Sequence, residues 1–319
     1  MSPPPLITHL FTADPSAHVF EGRLYLYPSH DLPVETPDND VGDQYQMVDY
    51  HVFSQDRPDG PVTDHGEVLH LREVPWASQQ LWAPDAACRG GLYYLYFPAR
   101  DREGVFRIGV ATARRPEGPF TSAAAPIPGS FSIDPCVFAD GDGEFYLAFG
   151  GLWGGQLQCW TTGRFEAGAT TPAGDQPALC PRIARLAPDM RTFAEPPRDL
   201  VILDERGRPL RAGDDTRRFF EGSWLHRYQG RYYFSYSTGD THYLAYAVGD
   251  SPYGPFTYRG HLLTPPIGWT THHSIVEFQG RWWLYYHDAS LSGGVNHQRC
   301  VKMQELRYDS RGDIVPMNP

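Results

Sequence analysis

The chain has 319 residues, with 32 Gly and 30 Pro, a density of turn formers that argues against long helices. Its 19 Tyr, 17 Phe and 8 Trp can fill a large core, which excludes disorder. A net charge of −11 repels phosphate backbones and disfavours nucleic acid, while a neutral ligand such as a sugar is not disfavoured.

No apolar run approaches the roughly 18 residues of a membrane span, so no membrane partner is expected. The five Cys are odd in number and show no CxxC spacing. The N-terminus, Met1-Ser-Pro-Pro-Pro-Leu-Ile-Thr8, lacks the basic-then-apolar pattern of a signal peptide. These features predict reduced thiols and a cytoplasmic protein.

In chain order, one pattern recurs five times: a β-rich run, a Gly-containing turn, then an aromatic run. The copies are His18–Tyr27, Ala86–Tyr96, Cys136–Phe149, Trp224–Tyr236 and Ser274–Tyr286. Each predicts a β-hairpin, because Gly supplies positive φ at the turn and aromatics suit pleated faces. The turn glycines 22, 90, 143, 230 and 280 lie 68, 53, 87 and 50 residues apart, so five similar units fill residues 1–319 as one domain. Val52–Pro61, Gly109–Phe120 and Ala245–Phe256 share a second pattern that predicts third and fourth strands joined by a Pro/Gly turn. Thr161–Thr216, rich in Pro, Gly, Arg and Asp, reads as a decorated connection within and between units. Five units of four strands predict an all-β, five-bladed β-propeller. A β-sandwich would not require the hairpin to recur five times.

The residues just before each hairpin should line a central channel and face one mouth. There the chain places Asp14, Asp85, Asp134, Glu221 and His272, at 8, 5, 9, 9 and 8 residues before the turn glycine. Carboxylates are poor strand formers, so their recurrence calls for a cause. Solvation of a water-filled channel is one. Asp14 and Asp134 both precede Pro, which predicts extended backbone at each Asp. Glu221 sits among aromatic neighbours, and an apolar surround raises a carboxyl pKa, as a general acid requires. Carboxylates in contrasting environments are the equipment of glycoside hydrolysis. Trp82, Phe131, Trp153, Trp224 and Trp269 are candidate stacking faces for sugar rings.

At these residues the sequence resembles glycoside hydrolase family 43. The resemblance runs from about Phe11 to Leu306 and rests on Ala13-Asp-Pro-Ser16, Leu81-Trp-Ala-Pro-Asp85, Ser132-Ile-Asp-Pro135, Phe219-Phe-Glu-Gly222 and His272-His-Ser274, in that order. It implies an inverting enzyme with Asp14 as general base, Glu221 as general acid and Asp134 tuning and orienting the acid. It implies a calcium ion in the channel, held by His272 and otherwise by water; a structural His bonded to strand backbone is the alternative. Arg299 is similar to an arginine that reaches the terminal sugar, with a surface salt bridge as the alternative, and Asp85, similar to a well-matched family position, is read as structural or as supporting the site from behind its lining residues. The family motif often has Ala after the acid, where this chain has Gly222.

Leu24–Asp31, Trp153–Gln156 and Ser237–His242 are similar to the single-domain β-xylosidases of that family, related members of which remove α-L-arabinofuranosyl groups. The implied substrates are β-1,4-xylo-oligosaccharides or arabinose-substituted oligosaccharides. Only Lys302–Pro319 follow the last matched segment, too few residues for the pocket-closing sandwich that some such xylosidases carry. Closure by a partner subunit in a homo-oligomer is left open. So are arabinan cleavage, a sugar-binding propeller without catalysis, and a protein-binding scaffold.

Overall fold

The computed structural model describes residues 2–319. Its strands form five separate sheets, the blades of a β-propeller. Blade one holds β1 (Phe11–Phe20), β2 (Arg23–Asp31), β3 (Asp49–Gln55) and β4 (Thr63–His70). Blade two holds β5 (Ala77–Gln79), β6 (Asp85–Arg89), β7 (Leu92–Asp101), β8 (Phe106–Ala113) and β9 (Thr121–Ser122). Blade three holds β10 (Cys136–Ala139), β11 (Phe145–Phe149), β12 (Arg182–Arg185) and β13 (Arg198–Asp199). Blade four holds β14 (Ile202–Leu203), β15 (Phe219–Tyr228), β16 (Arg231–Thr238), β17 (Leu244–Gly249) and β18 (Phe256–Leu263). Blade five holds β19 (His273–Phe278), β20 (Arg281–Asp288) and β21 (Cys300–Leu306).

The five expected hairpins are β1–β2, β6–β7, β10–β11, β15–β16 and β19–β20. Four turn through two residues with φ above zero: Glu21-Gly22, Gly90-Gly91, Gln229-Gly230 and Gln279-Gly280. That is the turn whose twist suits antiparallel strands, and Gly adopts it without strain. The first strands of the hairpins touch one another in a closed ring, β1 to β6 to β10 to β15 to β19 and back to β1.

Aromatic residues occur on both faces of each hairpin because each sheet packs between two others. In β7, Tyr93, Leu95 and Phe97 join Tyr25, Tyr27 and Tyr50 of blade one. The alternate residues Tyr94 and Tyr96 join Val137, Leu147 and Phe149 of blade three. This is the two-residue strand period with both faces buried.

Three blades depart from four strands. Blade four gains β14, which runs parallel to β18 and comes from the segment read as a connection. Blade five has three strands, because the chain's own beginning meets its edge: the Leu6 N–H donates to the Val301 carbonyl and the Thr12 N–H to the Arg299 carbonyl, both at 2.9 Å. Blade two is split at its inner edge, where β5 and β6 pair with opposite halves of β7.

Candidate active site

A pocket of about 610 Å³ opens at one mouth of the channel. Asp14, Asp134, Glu221, His272, Trp82, Trp153 and Arg299 line it. Asp14, Asp134, His272 and Arg299 are at most 9% exposed, and Glu221 is half-buried.

The backbone turns these side chains inward through irregularities in the inner strands. The pairing of β1 with β2 shifts between Ala13 and Ser16, and that of β15 with β16 shifts on both sides of Glu221. Such bulges re-aim a side chain. Asp14 has φ 49° and Asp134 φ 56°, so neither is extended as the following Pro predicts. Proline disfavours the right-handed helical region for its predecessor, and Asp is among the few residues that accept the left-handed one. Gly222, after Glu221, has φ 71°. Its N–H donates to Asp134 Oδ2 at 2.8 Å, tying that carboxylate to the backbone beside the acid.

Asp14 is enclosed by donors. Ser29 Oγ donates to Oδ2 at 2.6 Å and the Arg299 guanidinium to Oδ1 at 3.1 Å, while His272 Nδ1 stands 3.5 Å from Oδ1. The Asp14 N–H donates to His287 Nδ1 at 3.0 Å. His287 is therefore an acceptor at Nδ1, in keeping with burial and Arg299 pushing its pKa down to about 3. Burial works to raise the Asp14 pKa, but Arg299 and His272 overcome it and hold the carboxyl well below its ordinary range.

Glu221 is the opposite case. Its carboxyl makes no hydrogen bond to a described residue. Burial, Asp134 and Asp14 raise its pKa well above the ordinary value, against a weaker pull from Arg299. Asp134 is raised by burial as well, opposed by His272. The pocket thus sets a carboxyl held down by its donors beside one pushed up by burial and by its acidic neighbours, the contrast that separates a base from an acid.

Arg299 is no surface residue. Its Nε and one terminal nitrogen each donate to Asp31 at 2.8 Å, its other terminal nitrogen reaches Asp14 and Thr270 Oγ1, and its guanidinium lies 4.9 Å from the Tyr45 ring centre. Four of its five N–H groups are so engaged, which leaves one beside the pocket.

Trp82 lies on the wall with Nε1 donating to the Tyr45 carbonyl at 2.8 Å. Gly42 is required above it, since a Cβ there would stand 2.5 Å from the indole. Trp153 stacks on Trp269 at 6.0 Å and 26°, and with Gly154 and Gly155 the two indoles wall the pocket.

Two of the expected stacking faces fail here. Phe131 lies outside the pocket: it stacks on Trp160 at 4.8 Å and meets Phe149 edge-on, a core role. Trp224 faces the opposite mouth of the channel and donates to the Ile275 carbonyl. Asp85 sits deeper than the pocket and accepts from Ser16 Oγ, His18 Nε2 and the Val137 N–H, which makes it structural as read. Sequence reasoning missed Ser29, Asp31 and His287 around Asp14, and the loop Asn39–Met47 of the pocket wall. Ser29 and Asp31, alternate residues on β2, carried the one available signal.

Residues 7–314 match the family described as glycosyl hydrolases family 43. The chain is 63% identical to xylosidase/arabinosidase 43A of Humicola insolens, over 99% of each chain. It is 51% identical to a beta-xylosidase of Xylanibacter ruminicola, over 95% of this chain and 96% of that one. Among solved structures it is similar to CoXyl43, a GH43 beta-xylosidase/alpha-arabinofuranosidase from a compost microbial metagenome, determined with xylotriose in a calcium-free form. The TM-score is 0.98 at 57% identity, covering 100% of this chain and 98% of that one.

Proposed function

The chain belongs to glycosyl hydrolases family 43, and we propose that it releases xylose from the non-reducing ends of β-1,4-xylo-oligosaccharides, with removal of α-L-arabinofuranosyl groups as a side activity. The observation that carries this reading is the contrast between two carboxyls in one pocket: Asp14 is enclosed by Arg299, His272 and Ser29, which hold its pKa down, while Glu221 has no hydrogen-bond partner among the described residues and is pushed up by burial and Asp134. Asp14 takes a proton from a water molecule, whose oxygen attacks the anomeric carbon. Glu221 gives its proton to the departing glycosidic oxygen as the C–O bond breaks, and the configuration inverts. Asp134 holds the backbone beside Glu221 and raises its pKa. Trp82 and Trp153 offer faces for sugar rings, and Arg299 offers its remaining N–H to a sugar hydroxyl.

Action at a chain end is favoured over an open groove by the loops themselves. Gly154 packs so closely on Val41 that a Cβ there would stand 2.9 Å from the Val41 carbonyl oxygen. The walls from blades one and three therefore meet, and we infer that blades one to five work as a single catalytic unit.

His272 suits a channel cation. Its Nδ1 faces Asp14 and Asp134 at 3.5 and 4.0 Å, and Nε2 has no protein partner among the described residues. With one imidazole as protein ligand, calcium would complete its oxygen shell with water. Bound there, it would supply positive charge beneath the two aspartates. Chelation should lower activity and calcium should restore it; an unchanged rate in a verified metal-free sample would leave His272 structural.

The test of function is a side-by-side assay with xylobiose and an arabinofuranosyl-substituted xylo-oligosaccharide. Xylose should be released faster. Faster arabinose release would reverse the assignment. Glu221→Gln should cut hydrolysis of poor leaving groups roughly 10²–10⁴-fold and spare activated ones more. Equal losses on both would remove Glu221 as the acid.

A further inference from the structure

Away from the pocket, blade one carries a cluster that the reaction does not use. His30 lies on β2, and Asp49 and His51 lie on the adjacent antiparallel strand β3. Each offers one ligand atom, and the three atoms lie within 4.8 Å of one another. His30 Nδ1 and Asp49 Oδ1 are 2.6 Å apart, and the two imidazoles meet edge to face at 5.4 Å. Asp49 is buried while both histidines are half-buried, so a cation and a water can enter from one side. We propose that His30, Asp49 and His51 form a binding site for a divalent cation of the zinc class.

The donor set decides the class. Two imidazole nitrogens and one carboxylate suit zinc, with water in the fourth position, and do not suit calcium, which takes six to eight oxygens. The surroundings match a built site. Asp64 Oδ1 stands 3.4 Å from His51 Nδ1, and metal-binding imidazoles almost always have a carboxylate or carbonyl on the ring. Asp64 Oδ2 also takes a hydrogen bond from His9 Nε2 at 2.8 Å, which links the cluster to the segment that closes the propeller against β21.

Position gives the site a consequence. Adjacent residues on a strand point to opposite faces. His30 is flanked by Ser29, which donates to Asp14, and by Asp31, which holds Arg299. A metal on His30 therefore grips the reverse face of the strand that fixes Asp14. The site differs from the one at His272, which lies on the inner side of that strand.

The experiment uses the metal-stripped full chain titrated with Co²⁺ and Zn²⁺. To remove the channel site from the count, it is run on the His272→Ala variant. One equivalent of Co²⁺ should bind with the visible absorption of a four-coordinate site, and Zn²⁺ should displace it and raise the Tm. Adding His51→Ala or His30→Ala should abolish the absorption and the Tm rise while circular dichroism stays unchanged. Asp64→Asn, which keeps all three ligands, should weaken binding by roughly 10–100-fold. Absence of the cobalt band in His272→Ala, or its persistence with His51→Ala, would overturn the proposal. Should the alanine variants fail to fold, His51→Gln read by the same band decides.

Discussion

Asp14 and Asp85 are both aspartates on inner strands of the propeller, and both are almost fully buried. Asp14 sits on a bulge, faces the pocket, and is surrounded by Arg299, His272 and Ser29. Asp85 heads β6 without a register shift, and its oxygens are consumed by Ser16, His18 and the Val137 N–H. The difference shows what recurrence of an acid means in this fold. One carboxylate ties three blades together, and another keeps a face toward the pocket.

The largest expected effect tests that contrast directly. Asp14→Asn keeps the shape and should reduce turnover by at least roughly 10²–10⁴-fold, the contribution of a positioned general base, with the chain still folded. Asp85→Asn should leave turnover per folded molecule within a few-fold. It should instead lower the Tm, because an amide cannot accept from all three donors and a buried unpaired group costs about 1–3 kcal/mol. Steady-state rates and thermal melts on both variants decide. Loss of turnover in a fully folded Asp85→Asn would break the comparison.

A third aspartate sharpens it. Asp134 raises the Glu221 pKa through its charge and anchors the neighbouring N–H of Gly222. Asp134→Asn removes the charge, so the Glu221 pKa falls toward its ordinary value and the acid loses its proton at lower pH. The alkaline limb of the kcat/KM profile, which requires protonated Glu221, should then move to lower pH. Asp85→Asn should not move it. An alkaline limb that stays in place in Asp134→Asn would assign that limb to another group.

The blades were legible because a Gly turn between aromatic runs is a local signal, and five copies sum to a closed ring. The acids were legible through their offsets from the turn glycines. The odd offset, 5 for Asp85 against 8 or 9 elsewhere, already marked a blade that differs. Eight residues before Gly90 stands Trp82, which lines the pocket. What stayed hidden depends on the backbone or on distant partners. Left-handed backbone reverses the extended reading at Asp14 and Asp134, because the pre-proline rule excludes one region and does not choose between the others. Aromatic type does not tell which face a ring occupies, so Phe131 reads like Trp153 until Trp160 covers it. The Asn39–Met47 loop has no strand period to announce it. For Arg299 the surface salt bridge stays open as an alternative until Asp31 is brought from 268 positions away.

The smallest effect concerns Gly222, where the family resemblance and the backbone pull in different directions. Alanine often follows the acid in the family, yet Gly222 has φ 71°, a region that costs an L-residue roughly 1–2 kcal/mol. Space is not the obstacle, since a Cβ would lie 3.4 Å from the Thr271 carbonyl oxygen, an ordinary contact. Gly222→Ala should therefore fold, lose roughly 1–2 kcal/mol of stability, and lose less than about tenfold in kcat. The loss should be larger on poor leaving groups, because a small backbone shift displaces the acid and leaves the base in place. A hundredfold loss on all substrates alike would mean that the Gly222 N–H bond to Asp134 positions the whole set of carboxylates, Asp14 included. The separation of roles between Asp14 and Glu221 would then have to be redrawn.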